Sequence, residues 1–151
     1  MATHPTILLI EDDTNDVLFM KTAFEAAAVT NPVQQVSDGK QAFAYLSGAG
    51  RYANRRRYPL PYLVLVDLKL PQVMGLQLVK WIRQRSEFAS TIVLVLTAST
   101  NPSDIDQAYL AGANGFLIKP SSFEKLKAMA QAIKDFWLLQ NQQGSAFYRE
   151  G

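Results

Sequence analysis

Short apolar runs alternate along this chain with longer segments in which apolar residues recur every three or four positions. The runs Thr6 to Ile10, Val33 to Val36, Tyr62 to Val66, Thr91 to Thr97 and Gly115 to Ile118 are strand-length. Most have the Val, Ile and Leu content of strands buried on both faces. Between them the spacing predicts helices. The first can be capped by Asp13 or Thr14 and runs to about Ala27, with Val17, Met20, Phe24 and Ala27 on one face and Phe19 off it. The second follows the turn Ser37-Asp38-Gly39 and covers Lys40 to Leu46, with Ala42, Phe43 and Leu46 inward. The third opens at Gly75 and carries Leu76, Leu78, Val79 and Ile82. The fourth begins at Asn101-Pro102-Ser103-Asp104, where proline suits the first turn, and ends at Gly112. The last is capped by Ser121-Ser122 and spaces Leu126, Met129, Ala130, Ile133 and Trp137 helically.

Five strands and five helices in strict alternation predict an α/β fold: a doubly wound, flavodoxin-like (βα)5 parallel sheet of strand order 2-1-3-4-5. The 151 residues read as one domain with its core at about 5–140 and a polar tail over 141–151. Apolar residues make up 48% of the chain, which excludes disorder as its main state. The absence of cysteine excludes disulfides and thiolate chemistry. No signal peptide or bilayer-length apolar run is present, so a cytoplasmic protein is expected. A net charge of +2 does not by itself indicate nucleic acid, and direct nucleic-acid binding is not expected.

In the predicted strand order the carboxyl ends of the strands bring Glu11, Asp12, Asp67, Thr97 and Lys119 to one rim, where open α/β sheets bind ligands. An unpaired carboxylate inside a buried strand is costly, which places Asp67 at the end of its strand. Carboxylates gathered so closely repel unless a cation joins them. Mg²⁺ suits such a set, because it uses few protein carboxylates and keeps several waters. With Lys119 as a second positive charge and Thr97 as a hydroxyl donor, the set suits phosphoryl transfer.

Four segments carry a family likeness: Ile7-Leu8-Leu9-Ile10-Glu11-Asp12-Asp13, Val64-Leu65-Val66-Asp67-Leu68-Lys69-Leu70-Pro71, Val95-Leu96-Thr97-Ala98, and Gly112 through Pro120. With them the chain resembles the CheY-like receiver domains of two-component response regulators. The resemblance implies a phosphoryl group accepted on Asp67 from a phosphohistidine of a sensor histidine kinase. It implies Mg²⁺ held by Asp12, Asp67 and the backbone carbonyl of Lys69, with Glu11 acting through water. Thr97, Ala98 and Lys119 would surround the phosphoryl group, Phe116 would turn inward behind it, and the Lys119-Pro120 bond would be cis. The segments Gly50-Arg51-Tyr52, Pro61 and Asp135-Phe136-Trp137-Leu138 resemble the small regulators paired with bacterial and cyanobacterial phytochromes. That likeness implies a red-light-sensing kinase, a homodimer through the last strand and helix, and a downstream phosphotransfer protein as a further partner. Phe136, Leu138 and Leu139 are the candidate dimer surface, since Leu138 and Leu139 cannot both share the buried face of an α-helix.

The expected function is therefore a non-enzymatic, phosphorylatable switch without an attached output domain. A receiver-like interaction module that takes no phosphate is the alternative. An aspartyl-phosphate phosphatase of the haloacid-dehalogenase type needs a second carboxylate two residues beyond the nucleophile, where this chain has Lys69. Met74 replaces an acidic residue often found before the glycine of the third helix, and Phe116 stands where the family often has Tyr. The cluster Arg55-Arg56-Arg57 reads as a solvated basic loop.

Overall fold

The computed structural model describes residues 5–71 and 74–139. Five strands, β1 (Ile7–Ile10), β2 (Val33–Val36), β3 (Leu63–Val66), β4 (Ile92–Thr97) and β5 (Gly115–Ile118), alternate with helices α1 (Thr14–Ala26), α2 (Gly39–Ser47), α3 (Gly75–Arg83), α4 (Pro102–Ala111) and α5 (Phe123–Ile133). All strand pairs are parallel and the order is β2-β1-β3-β4-β5, the predicted topology. No helix among the described residues is long and apolar enough to cross a membrane.

The chain packs as two compact units. The first contains the residues up to Val17 and Asn31–Lys119; the second contains Leu18–Thr30 and the chain from Pro120 onward. In the first unit, alternate strand residues Leu8, Ile10, Val64, Val66, Val93 and Val95 meet Ala42, Leu46, Leu78, Val79, Ile82, Ala108 and Ala111 in one apolar cluster. The period of two along each strand is what sends these residues to one face. The strands β1, β3 and β4 are buried at every position, as their unbroken apolar runs require.

Caps fix the helix ends. Asp13 Oδ1 accepts from Asn15 N (2.9 Å) and Asp16 N (3.1 Å) at the start of α1. Asp38 caps α2, Asn101 caps α4 and Ser122 caps α5, while Met74 offers α3 no side-chain bond. Gly112 ends α4 with φ 110°, a conformation that favours glycine.

Two expectations change. In α2 the fully buried aromatic is Tyr45, whereas Phe43 is half-buried against Trp81. The segment after α2 is ordered around Tyr45: Tyr52 and Tyr58 pack against its ring, and its hydroxyl donates to Pro59 O at 2.8 Å. Arg55 is accordingly not a solvated charge. Its guanidinium donates to Tyr45 O (2.8 Å), Leu46 O (2.9 Å) and Tyr58 O (3.1 Å), tying the end of α2 to the loop. Arg56 and Arg57 are exposed, as expected.

In the second unit, Leu126, Ala130 and Ile133 are buried along α5. Beyond them Lys134–Leu139 forms a π-helix. Its wider turn shifts the helical phase, so Leu138 is only 1% exposed rather than part of an outer surface. Phe136 stays exposed, at 57%. The side chain of Leu139 and the tail expected over 141–151 lie outside the described residues.

Candidate functional site

Each strand that supplies a site residue passes its ladder one step beyond its own end. Glu11 N donates to Val36 O (3.1 Å), Asp67 N to Ile10 O (3.2 Å) and Lys119 N to Thr97 O (2.7 Å). These bonds fix the backbone of the three residues at the carboxyl edge of the sheet, so their side chains converge without depending on loop conformation.

They converge on one ammonium. Lys119 Nζ donates to Glu11 Oε1 at 2.5 Å, Asp67 Oδ2 at 2.8 Å and Asp16 Oδ2 at 2.9 Å. Asp67 Oδ1 accepts from the backbone N–H of Lys69 at 3.0 Å. Glu11 and Asp67 are buried, while Asp12 is exposed at the mouth. Single carboxylate oxygens of Glu11, Asp12 and Asp67 lie within 4.8 Å of one another, among residues that all offer hard oxygen donors. That set fits a divalent cation.

Burial and neighbouring charge compete here. Burial raises the Glu11 carboxyl above its ordinary pKa, and the Lys119 hydrogen bond and charge only partly oppose it. Burial alone would lower Lys119, but its bonds to Asp67, Glu11 and Asp16 outweigh it and hold the ammonium above the usual lysine value. The site is thus a carboxylate, Asp67, held beside a firmly protonated cation and beside the donors for a metal ion.

Thr97 is buried at the end of β4, and its Oγ1 accepts from Ser99 N at 3.3 Å. That bond uses a lone pair and leaves the Thr97 O–H available as a donor. Ser99 Oγ donates to Asp104 Oδ2 at 2.5 Å, linking the loop after β4 to the first turn of α4. Ala98 is exposed. Phe116 is half-buried and packs against the apolar cluster. Gly75 has a local reason of its own: a Cβ there would collide with the backbone oxygen of Asp67 and sit 2.8 Å from Leu68 Cα. Glycine is needed because the start of α3 lies against the backbone that carries Asp67.

All five rim residues of the sequence reading stand at the strand ends, and Glu11, Asp67 and Lys119 are in direct contact. Lys69, whose carbonyl the family likeness would give to the metal, is exposed. The expected cis bond is a correction: no described peptide bond is cis, so Lys119-Pro120 is trans. An X–Pro bond prefers trans by about 0.5–1 kcal/mol. Asp16 is the site residue that the sequence reading does not include. The available signal was its nearness along the chain to Glu11, Asp12 and Asp13.

A family model described as the response regulator receiver domain matches residues 7–131. The chain is 38% identical over 135 residues to the probable methanogenesis regulatory protein FilR2 of Methanothrix harundinacea, covering 87% of this chain and 83% of that protein. It is 33% identical over 132 residues to the response regulator Rcp1 of Synechocystis, covering 87% and 88%. A crystal structure of Rcp1 in its Mn²⁺-bound form matches with a TM-score of 0.79 at 31% identity, over 89% of this chain and 94% of that one. The crystal structure of the phosphorylated cyanobacterial phytochrome response regulator RcpA matches with a TM-score of 0.82 at 32% identity, over 90% of this chain and 95% of that one.

Proposed function

The chain belongs to the receiver domains of two-component response regulators, and from that premise we propose that Asp67 accepts a phosphoryl group from a phosphohistidine on a sensor histidine kinase. The observation that carries this is the convergence of Asp67 and Glu11 on Lys119, with Asp12 beside them, at the carboxyl edge of the sheet. An Asp67 carboxylate oxygen attacks phosphorus. The O–P bond forms, the P–N bond to the donor imidazole breaks, and the imidazole nitrogen keeps the electron pair. Attack by a carboxylate oxygen displaces no proton.

Asp12, Asp67 and the Lys69 carbonyl, with Glu11 through water, would hold Mg²⁺, which would supply positive charge for an anionic phosphoryl group approaching these carboxylates. Lys119 donates to a phosphoryl oxygen. Thr97 turns its free O–H toward another. The backbone around Ala98 follows, and Phe116 moves inward behind it. The Ser99–Asp104 bond passes this change to α4, so the surface recognised by partners differs between the two states.

The likeness to phytochrome regulators supports a phytochrome-type kinase as donor, a downstream phosphotransfer protein as recipient, and a cytoplasmic setting. A second copy of the chain would meet the exposed Phe136; buried Leu138 drops out of that surface.

Incubation with acetyl phosphate and Mg²⁺ tests the central step. The mass rises by one phosphate in the parent and not in Asp67→Asn. An equal gain in the variant, or no gain in the parent, overturns the assignment.

A further inference from the structure

The ammonium of Lys119 has three N–H donors, and all three are already used. They go to Glu11, Asp67 and Asp16, at 2.5, 2.8 and 2.9 Å. A hydrogen bond from Lys119 to an incoming phosphoryl oxygen therefore requires one carboxylate to let go. The three differ in what release would cost. The Glu11 side chain is 4% exposed and that of Asp67 10%, whereas that of Asp16 is 41% exposed. A buried carboxylate that loses its cation is left desolvated and unpaired, which is strongly unfavourable. A half-exposed carboxylate on the first turn of a helix is rehydrated, and the helix N-terminus continues to favour its charge. Asp67 must also remain in place, since it is the group being loaded.

We propose that Asp16 is the exchangeable partner of Lys119: it neutralises the ammonium at rest and yields its hydrogen bond to a phosphoryl oxygen when Asp67 is loaded. This rests on Asp67 being the acceptor. Asp16 is a positioning residue on this account, since it acts through Lys119 and does not touch phosphorus. It keeps Lys119 aimed between Glu11 and Asp67 before a donor arrives. It also sets a threshold, because the phosphoryl oxygen must compete with a carboxylate already bound. Side-chain exchange at one lysine thereby couples loading of Asp67 to the first turn of α1.

The test is made on the intact protein with trifluoroberyllate and Mg²⁺, which form a stable phosphoryl mimic on an aspartate. The ¹³C carboxyl signals of Asp16 and Glu11 are followed through the titration. The Asp16 signal moves to that of a hydrated carboxylate on loading, and the Glu11 signal keeps its ion-paired position. An unmoved Asp16 signal in the loaded protein, or release of Glu11 in its place, overturns the proposal. Failure of trifluoroberyllate to load Asp67 at all overturns the acceptor reading beneath it.

A second measurement uses Asp16→Asn, which keeps the shape and weakens the hold on Lys119. Phosphorylation by acetyl phosphate accelerates about two- to fivefold, the range expected for loss of a half-exposed ion pair. The gain persists at about 0.5 M salt, where a through-space repulsion of the donor is screened. No gain, or a gain that salt abolishes, counts against exchange at Lys119.

Discussion

Three cations of the first unit are held in two different ways. Lys119 is held by carboxylates alone, those of Glu11, Asp16 and Asp67. Arg83 donates to Gly112 O (2.7 Å), Thr91 O (2.8 Å) and Phe88 O (3.2 Å), and to Asn114 Oδ1. Arg55 donates to the carbonyls of Tyr45, Leu46 and Tyr58 and lies 6.0 Å from the centre of the Tyr45 ring. Carbonyls do not titrate, do not repel one another as anions and have no reason to leave. The planar fork of arginine reaches several at once, which makes it a fastener for loops. The carboxylates around Lys119 repel each other and differ in exposure. The arginine sites hold the scaffold still, and the lysine site is arranged to change partners.

The largest loss is expected where a fastener is cut. Arg83→Ala removes donors from three carbonyls and Asn114, whose Oδ1 also accepts from Val93 N at 2.8 Å. Hydrogen bonds to a charged group are worth about 1.5–3 kcal/mol each, and water replaces part of them here, so a net loss of about 3–4 kcal/mol is expected in urea unfolding. A loss under about 1 kcal/mol would show that these carbonyls are as well served by water. Arg55→Ala follows at about 2–3 kcal/mol, with the damage confined to the end of α2 and the loop around Tyr58. Arg55→Lys rescues only part of either effect, because one ammonium cannot reproduce the fork.

A further test of the Arg55 region is its response to alkali. Burial pushes the Tyr45 hydroxyl up to about 12, with the Arg55 charge pulling the other way. The folded pKa lies above the ordinary value of 10, so the stability linked to it is complete below pH 10. It is lost as pH rises from 10 through 12, because the unfolded chain gives up the proton first. The loss reaches about 2.7 kcal/mol. Tyr45→Phe removes this part of the alkaline slope. A slope that survives the substitution unchanged would place its origin elsewhere.

These contrasts also explain what could be read along the chain. The alternation of short apolar runs with helical periods is enough to give the sheet order, because parallel strands and right-handed crossovers leave few arrangements. The rim follows from that order, since Glu11, Asp67, Thr97 and Lys119 each terminate a strand. Asp16 could not be assigned the same way, because it lies on a helix, where its reach to Lys119 depends on the docking of α1. The roles of Arg55 and Arg83 were invisible for another reason: most of their partners are backbone carbonyls, which every residue possesses. Tyr45 is buried more fully than Phe43, which still packs against the core, because the loop after α2 supplies two tyrosine rings and an acceptor for its hydroxyl. Leu138 turned inward because a π-turn breaks the 100° rule on which its outward placement rested.

The smallest stability effect is expected at the most charged position. Lys119→Gln removes the cation on which Glu11, Asp16 and Asp67 converge, yet with a divalent cation present the net loss should stay below about 1 kcal/mol. The metal would take over the neutralisation that the ammonium provides, so that no buried carboxylate would be left uncompensated. Without the metal, the loss is larger and depends on pH in a definite direction. Glu11 is already raised by burial, and in the variant it loses the Lys119 bond and charge that partly offset this. A carboxyl whose folded pKa lies above its unfolded value binds its proton more tightly when folded. The linked stability is therefore present below the unfolded value of 4.5 and is lost as pH rises through the folded one. Metal-free Lys119→Gln should regain stability on acidification toward pH 4.5, over a window extending to higher pH than in the parent. Added Mg²⁺ should flatten that dependence, because the cation replaces the proton. Thermal unfolding of the two proteins across pH, with and without Mg²⁺, measures both effects. A variant that loses stability on mild acidification, or that Mg²⁺ leaves unchanged, would mean that the three carboxylates do not share one cation and that Lys119 is as static as the arginines.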